Sequence, residues 1–251
     1  MKKLYEKSDL SFAILWIIIY CVVSIPIRGS LGDESPVMTA ALAVIAAGLF
    51  AFVKKFHLEE KYGLVKWHGS AGDYLFFIPM LILMTGNFWG GIKLSYEGMA
   101  QVFAVISMLL IGFIEEMIFR GLLFRSLLNR DPVPAAVSIS AVTFGIGHIV
   151  NLLAGQGGME TVVQVFFAVA WGYLFTFVFY KSASLWMCII VHGLVDVFSK
   201  FAAFNNQSEN IYVVSTIIIS ILYCIYLSRK PTALKYELDI LLKNQQNEKL
   251  N

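Results

Sequence analysis

Eight long apolar segments constrain this chain more than any other feature of its sequence. They are Leu10–Ile27, Val37–Val53, Tyr74–Gly91, Met99–Leu128, Pro134–Leu153, Thr161–Tyr180, Leu185–Phe204 and Ile211–Ser228. A helix crosses the hydrocarbon core of a bilayer with about 20 mainly apolar residues, and only helices and closed barrels satisfy their backbone polar groups there. We therefore predict an all-α, polytopic membrane bundle of about eight transmembrane helices.

The eight segments occupy a single predicted transmembrane domain, residues 1–228, and a polar cytoplasmic tail is predicted over residues 229–251. Hydrophobic residues make up 58% of the 251-residue chain and charged residues 14%, whereas soluble domains carry roughly 25% charged residues. The net charge of +2 is too small for a protein that tracks nucleic-acid phosphates. The expected partner is the lipid bilayer, and no nucleic acid is expected.

The basic residues fall mainly on alternate connections between the segments. One set of connections and the termini hold 15 of them: Lys2, Lys3, Lys7, Lys54, Lys55, Lys61, Lys66, Arg125, Arg130, Lys181, Arg229, Lys230, Lys235, Lys243 and Lys249. The other set holds Arg28, Lys93 and Lys200. Because Lys and Arg concentrate in cytoplasmic loops, both termini are predicted to lie in the cytoplasm of a cell that the Lys- and Ile-rich composition suggests is bacterial.

Ionisable side chains inside the apolar segments indicate a functional site. Each costs at least about 2.5–3.5 kcal/mol at the centre of a membrane helix, yet three segments carry them. They are Glu115, Glu116 and Arg120 in the fourth segment, His148 in the fifth, and His192 and Asp196 in the seventh. Their distances from the segment ends, at 1.5 Å per residue, are similar, which predicts one shared polar cluster.

Helical spacing divides the roles within the fourth segment. Glu116 and Arg120 are four residues apart, so they share a face and are expected to form an ion pair that supports the site. Glu115 points about 100° away and is free to act as a general base beside a histidine.

Two further spacings concern the fifth and seventh segments. His192 and Asp196 share one helix face. Gly145, Gly147 and Gly193 are expected to let helix backbones approach closely around the site.

The ordered motifs resemble those of a known family. Glu115-Glu116-x-x-x-Arg120, Phe144-x-x-x-His148 and His192-x-x-x-Asp196 are similar to the three motifs of the CAAX protease and bacteriocin-processing (CPBP or Abi) family of intramembrane proteases, which includes the eukaryotic CAAX prenyl endopeptidase. The motifs lie in a predicted catalytic core, residues 99–204.

The resemblance implies a helical bundle with a polar chamber open to the cytoplasm. It also implies that Glu115 and His148 activate a water, while His192 and Asp196 stabilise the oxyanion. An ionised Asp196 cannot donate to an oxyanion. The alternatives are that Asp196 orients His192, is protonated, or helps to hold a metal.

A metal is the open question of this site. Glu115, His148 and His192 can supply three ligands and leave a fourth position for water, as in catalytic zinc sites. The sequence lacks H-E-x-x-H, so it does not have the zincin arrangement. Direct activation of water by Glu115 and His148 is the preferred hypothesis.

We predict an intramembrane endopeptidase whose substrates are membrane-associated peptides or membrane proteins, such as bacteriocin or pheromone precursors or CAAX-type proteins. The first alternative is a non-catalytic membrane binding protein, for example one that confers bacteriocin immunity or modulates a sensor kinase. The second is a transporter that uses the buried carboxylates, although the sequence shows no internal repeat.

Overall fold

The apolar segments form a bundle of helices, seen in a computed structural model that describes residues 2–65, 77–203 and 205–230. No β-strand occurs among these residues. Their β-type pairing is limited to an isolated antiparallel bridge between Ile92 and Ala202. The α-helices are α1 (Lys2–Lys7), α2 (Asp9–Leu31), α3 (Pro36–Lys55), α4 (Ile78–Met84), α5 (Met99–Glu116), α6 (Arg125–Leu128), α7 (Val133–Gly147), α8 (Gly158–Ser182), α9 (Trp186–Ser199) and α10 (Asn206–Ser228).

Three other helical segments extend these elements. A 3₁₀ turn, Thr85–Phe88, continues α4, and a second, His148–Ala154, continues α7. A π-helix, Met117–Phe124, joins α5 to α6. The π-helix has a wider turn than the α-helix and often occurs at functional sites. Here it begins directly after Glu116.

The predicted polytopic helical bundle is confirmed. Within the described ranges, six helical stretches are long and apolar enough to cross a membrane: Asp9–Leu31, Pro36–Lys55, Met99–Leu128, Val133–Ala154, Gly158–Ser182 and Asn206–Ser228. The third and seventh predicted segments correspond to the shorter apolar helices Ile78–Phe88 and Trp186–Ser199. The first residues of the third segment, Phe204 and the tail from residue 231 lie outside the described residues.

Local sequence explains where several helices begin. The Ser8 hydroxyl accepts from the Ser11 backbone N–H at 3.1 Å and so caps α2. Ser35 caps α3, with Pro36 in the first turn, where a missing N–H costs nothing. Asn205 and Ser208 form a reciprocal capping box at the start of α10.

Hydrogen bonds between connections define two faces of the bundle. We call the first the terminal face, because it contains the ends of the described chain. There Lys61 donates to Tyr5 at 2.7 Å, and Arg130 forms an ion pair with Asp9 at 3.3 Å. The Leu185 backbone N–H donates to the Gly63 carbonyl at 2.8 Å.

The opposite face holds the alternate set of connections. Lys200 forms an ion pair with Asp33 at 3.0 Å, and the Lys93 backbone N–H donates to the Phe201 carbonyl at 2.9 Å. The α2–α3 turn, the residues before α5 and the residues after α9 therefore lie together.

Close backbone contact holds α5 against α9. A Cβ added at Gly112 would lie 2.6 Å from both the Cα and the N of Gly193, a distance that real Cβ atoms do not adopt. The predicted close approach at Gly193 is thus confirmed, with Gly112 as its partner. The same prediction holds at Gly145, where a Cβ would lie 3.0 Å from the Val165 carbonyl oxygen.

The prediction for Gly147 is wrong. A Cβ there would meet Phe119 at 3.9 Å, an ordinary contact.

Replacing Gly112 with alanine is expected to separate α5 from α9 and to destabilise the bundle by about 1–3 kcal/mol, the usual cost of overpacking. Gly121→Ala is the control, because its Cβ would meet Met117 and Leu185 only at 3.6 Å or more. Thermal unfolding of the two variants in detergent measures the difference. Equal melting temperatures would show that the α5–α9 contact tolerates a methyl group.

Candidate active site

The predicted site residues converge on one cavity of about 740 Å³. Glu115 from α5, His148 from the end of α7, and His192 and Asp196 from α9 all line it. Phe119 and Phe144 line it as well. Three segments that are distant in sequence therefore supply one polar cluster.

Glu116 joins two elements of this cluster. Its Oε1 accepts from Arg120 Nη1 at 2.8 Å, and both side chains are fully buried. The same oxygen lies 2.8 Å from His192 Nδ1. A carboxylate that pairs with arginine only accepts hydrogen bonds, so Nδ1 of His192 is the donor. Glu116 therefore fixes the tautomer of His192 as well as pairing with Arg120.

Aromatic rings enclose the buried pair. The Arg120 guanidinium carbon lies 4.2 Å from the centroid of the Phe144 ring and 5.3 Å from that of Phe175. Phe175 also stacks on His192, with ring centroids 5.4 Å apart. Cation–π attraction is strongest where water is excluded, so these rings stabilise Arg120, whose Nε has no hydrogen-bond partner among the described residues.

Glu115 faces the other nitrogen of the same histidine. Its Oε2 lies 3.6 Å from His192 Nε2, and its Oε1 accepts from the Tyr20 hydroxyl at 2.8 Å. The two neighbouring glutamates thus lie on either side of one imidazole. Tyr20 holds Glu115 in place from α2.

Asp196 completes the surroundings of His192. Its Oδ2 lies 3.5 Å from Nε2, so Nε2 faces two carboxylates at distances slightly longer than a hydrogen bond. His192 is therefore oriented chiefly through Nδ1 and Glu116, while Asp196 lies on the cavity side.

His148 presents its free nitrogen to the cavity. Its Nδ1 lies 3.1 Å from the Phe144 carbonyl oxygen. A carbonyl only accepts, so Nδ1 carries the proton. In the neutral ring Nε2 is then an acceptor that can take a proton from water.

A second polar cluster lines the cavity near the opposite face. Arg28 Nε donates to Asp33 at 2.8 Å, and Lys200 Nζ donates to the other Asp33 oxygen at 3.0 Å. Arg28 also reaches Asn151 at 3.4 Å, and all four residues line the cavity. We call this set the mouth cluster.

Within the mouth cluster, Asp33 stays ionised to a lower pH than an ordinary aspartate does. Burial alone would raise the pKa of Asp33, but Arg28 and Lys200 outweigh it, so the pKa lies below its ordinary value. The stability that this shift contributes is present above the ordinary pKa. It is lost only as the pH falls through the lowered pKa.

The cavity opens away from the terminal face. Its lining includes Gly155 and Gln156, which follow the second 3₁₀ turn on the opposite face. The basic residues predicted cytoplasmic termini, whereas the family resemblance implied a chamber open to the cytoplasm. Because the cavity opens on the face opposite the termini, these two expectations cannot both hold.

The arrangement of the same side chains bears on whether the site holds a metal. Across the described ranges, no three His, Cys, Asp or Glu side chains are grouped as ligands for a metal ion. Of the three candidates, His192 already uses Nδ1 for Glu116, which leaves Nε2 as its one possible ligand atom.

Sequence reasoning missed Tyr20 and the mouth cluster. Tyrosine is common in apolar segments and has many roles there, and Tyr20 belongs to none of the three motifs, so nothing in the sequence marked it as a site residue. Arg28 and Lys200 were assigned to loops from their position alone. The two remaining histidines do not join the site: His57 is exposed in the connection after α3, and His68 lies outside the described residues.

The fold and the cavity define a polytopic membrane protein with a carboxylate–histidine site inside the bundle. Residues 98–198 match the family model described as "Type II CAAX prenyl endopeptidase Rce1-like". The resemblance seen in the three motifs is thus confirmed, because the matched residues contain all three of them. No curated protein and no solved structure matches the chain significantly.

Removing one partner of the buried pair is expected to be costly. Glu116→Gln or Arg120→Met alone leaves a buried charge without its counter-ion, which should lower the free energy of unfolding by about 3–5 kcal/mol. The double variant leaves neither charge without its partner. Its loss in free energy of unfolding should therefore be smaller than the sum of the losses in the two single variants. Thermal unfolding in detergent measures the cycle.

The exposed pair between Lys2 and Glu6, also four residues apart, supplies the control for that cycle. Glu6→Gln should leave the melting temperature unchanged, because exposed ion pairs contribute little. If the double variant lost as much free energy of unfolding as the two single variants together, Glu116 and Arg120 would not stabilise each other.

Proposed function

We propose that this protein is an intramembrane endopeptidase that hydrolyses a peptide bond with a water activated by Glu115 and His148. The observation that carries the proposal is that Glu115, His148 and His192 face one cavity while Glu116 fixes His192 from behind. The match of residues 98–198 to a protease family model supports the same reaction class.

The distances suggest a role for each group. Glu115, held by Tyr20, takes a proton from water as the water oxygen attacks the carbonyl carbon, and His148 Nε2 is the second acceptor at the cavity wall. Because Glu116 binds His192 Nδ1–H, a protonated His192 can donate Nε2–H to the oxyanion. When the C–N bond breaks, the proton passes to the leaving amine, and the carboxylate is restored.

Substrates of this site are peptides or protein segments that enter the bilayer. The description of the matched family model names a CAAX prenyl endopeptidase. For this chain we propose membrane-associated peptides such as bacteriocin or pheromone precursors, in the cell membrane of a bacterium, with both termini in the cytoplasm. The non-catalytic binding protein is the second candidate, since immunity needs only the fold and its surface.

Glu115→Gln is expected to abolish cleavage, because an amide cannot accept the proton; loss of a general base typically costs 10²-fold or more, by an order-of-magnitude estimate. Peptide termini in membranes and medium, compared between cells with wild-type and Glu115→Gln protein at matched levels, reveal the products. If the termini are unchanged while the biological activity survives, the binding protein is the better description.

Tyr20→Phe is expected to lower the cleavage rate by about 10- to 150-fold, because a hydrogen bond to a charged group contributes about 1.5–3 kcal/mol and each 1.36 kcal/mol is tenfold in rate. Tyr173→Phe is the matched control: it removes a hydroxyl that donates to Ser138 at 3.0 Å, and neither residue lines the cavity. Initial rates with purified protein and one identified substrate provide the comparison. Equal rates for both variants would remove Tyr20 from the mechanism.

Direct activation predicts that cleavage persists after metal removal. Protein treated with 1,10-phenanthroline and then dialysed should retain its rate, and its zinc content by elemental analysis should not track activity. Loss of cleavage that returns on adding one equivalent of zinc would assign the site to a metal held by Glu115, His148 and His192.

A further inference from the structure

The direction in which the cavity opens bears on where substrates come from. On each helix that contributes to it, the lining runs from the level of Glu115 towards the opposite face. On α2 it passes from Tyr20 through Ser24 to Arg28, and on α9 from His192 to Ser199.

The cavity lining on α5 also extends from Glu115 towards the opposite face. α5 begins at the opposite face, and there the lining passes from Glu115 back to Ile111 and Met108. On the terminal side the lining stops at Ile17 and Phe119, which are within about one helical turn of Tyr20 and Glu115. These two apolar residues form the floor of the cavity.

Packing closes the terminal side below that floor. Phe12, Ile118, Leu122 and Phe124 are all buried at 2% exposure or less, and Phe12 packs on Phe52 with ring centroids 4.6 Å apart. Water and a polypeptide can therefore reach Glu115 through the mouth cluster, but not through this packed layer.

The distribution of basic residues indicates which of the two faces lies in the cytoplasm. Within the described ranges, the terminal face carries 11 basic residues: Lys2, Lys3, Lys7, Lys54, Lys55, Lys61, Arg125, Arg130, Lys181, Arg229 and Lys230. The opposite face carries Arg28, Lys93 and Lys200, two of which are neutralised in part by Asp33. This asymmetry orients the terminal face towards the cytoplasm.

We infer that the active site receives its substrates from outside the cytoplasm, through the mouth cluster. The inference rests on the proposed proteolysis and narrows the substrate class to exported peptides and to membrane-protein segments presented at the outer surface. Peptides confined to the cytoplasm are excluded, because the apolar floor and the packed layer below it separate them from Glu115.

Cysteine labelling tests the orientation and the mouth without a substrate. Gln156→Cys places a thiol at the mouth, and Glu60→Cys places one in the connection after α3 on the terminal face. A membrane-impermeant maleimide added to intact cells should label Gln156→Cys above the background of the parent protein and should not label Glu60→Cys. In inverted vesicles the pattern should reverse, with loss of Gln156→Cys labelling. The opposite pattern would overturn the inference.

Cleavage from each side tests access to the site itself. The probe is a mixture of quenched fluorogenic decapeptides too polar to cross the bilayer, added to spheroplasts or to inverted vesicles, with the Glu115→Gln signal subtracted. Cleavage by spheroplasts alone supports the inference, and cleavage by inverted vesicles alone overturns it. If detergent-solubilised protein also fails to cleave, the proposed proteolysis is at fault, and the labelling pattern still decides which side the cavity faces.

Discussion

A guanidinium buried in the middle of a membrane bundle needs a fixed counter-charge, and Glu116 supplies one for Arg120. The same carboxylate oxygen receives the Nδ1 proton of His192. One residue thus links α5, the π-helix that follows it and α9. The position of His192, and with it the geometry of the whole cluster, depends on this bond, which the rings of Phe144 and Phe175 shield from water.

Much of this arrangement could be predicted from the sequence. Apolar length located the six helical stretches that can span a membrane and the two shorter apolar helices. The cost of burying charge identified the three segments that carry the site. The i and i+4 spacing correctly paired Glu116 with Arg120, because both lie on one helix and need no knowledge of the packing.

Contacts between helices could not be predicted in the same way. The spacing rule left Glu116 with a supporting role, since nothing in one helix reveals that His192 from another reaches the same oxygen. Tyr20 and Gly112 were missed for the same reason: each acts through a partner more than 80 residues away. The π-helix was missed because its sequence, Met117–Phe124, has no distinctive pattern.

The short length of α9 affects the membrane around the protein. Its 14 residues cover about 21 Å, whereas the hydrocarbon core is about 30 Å thick. A bilayer becomes thinner beside a helix that is shorter than the hydrocarbon core. The bilayer next to His192 should therefore be locally thinner, so that a polypeptide segment crosses less lipid to reach the level of His192 than it would beside the longer helices.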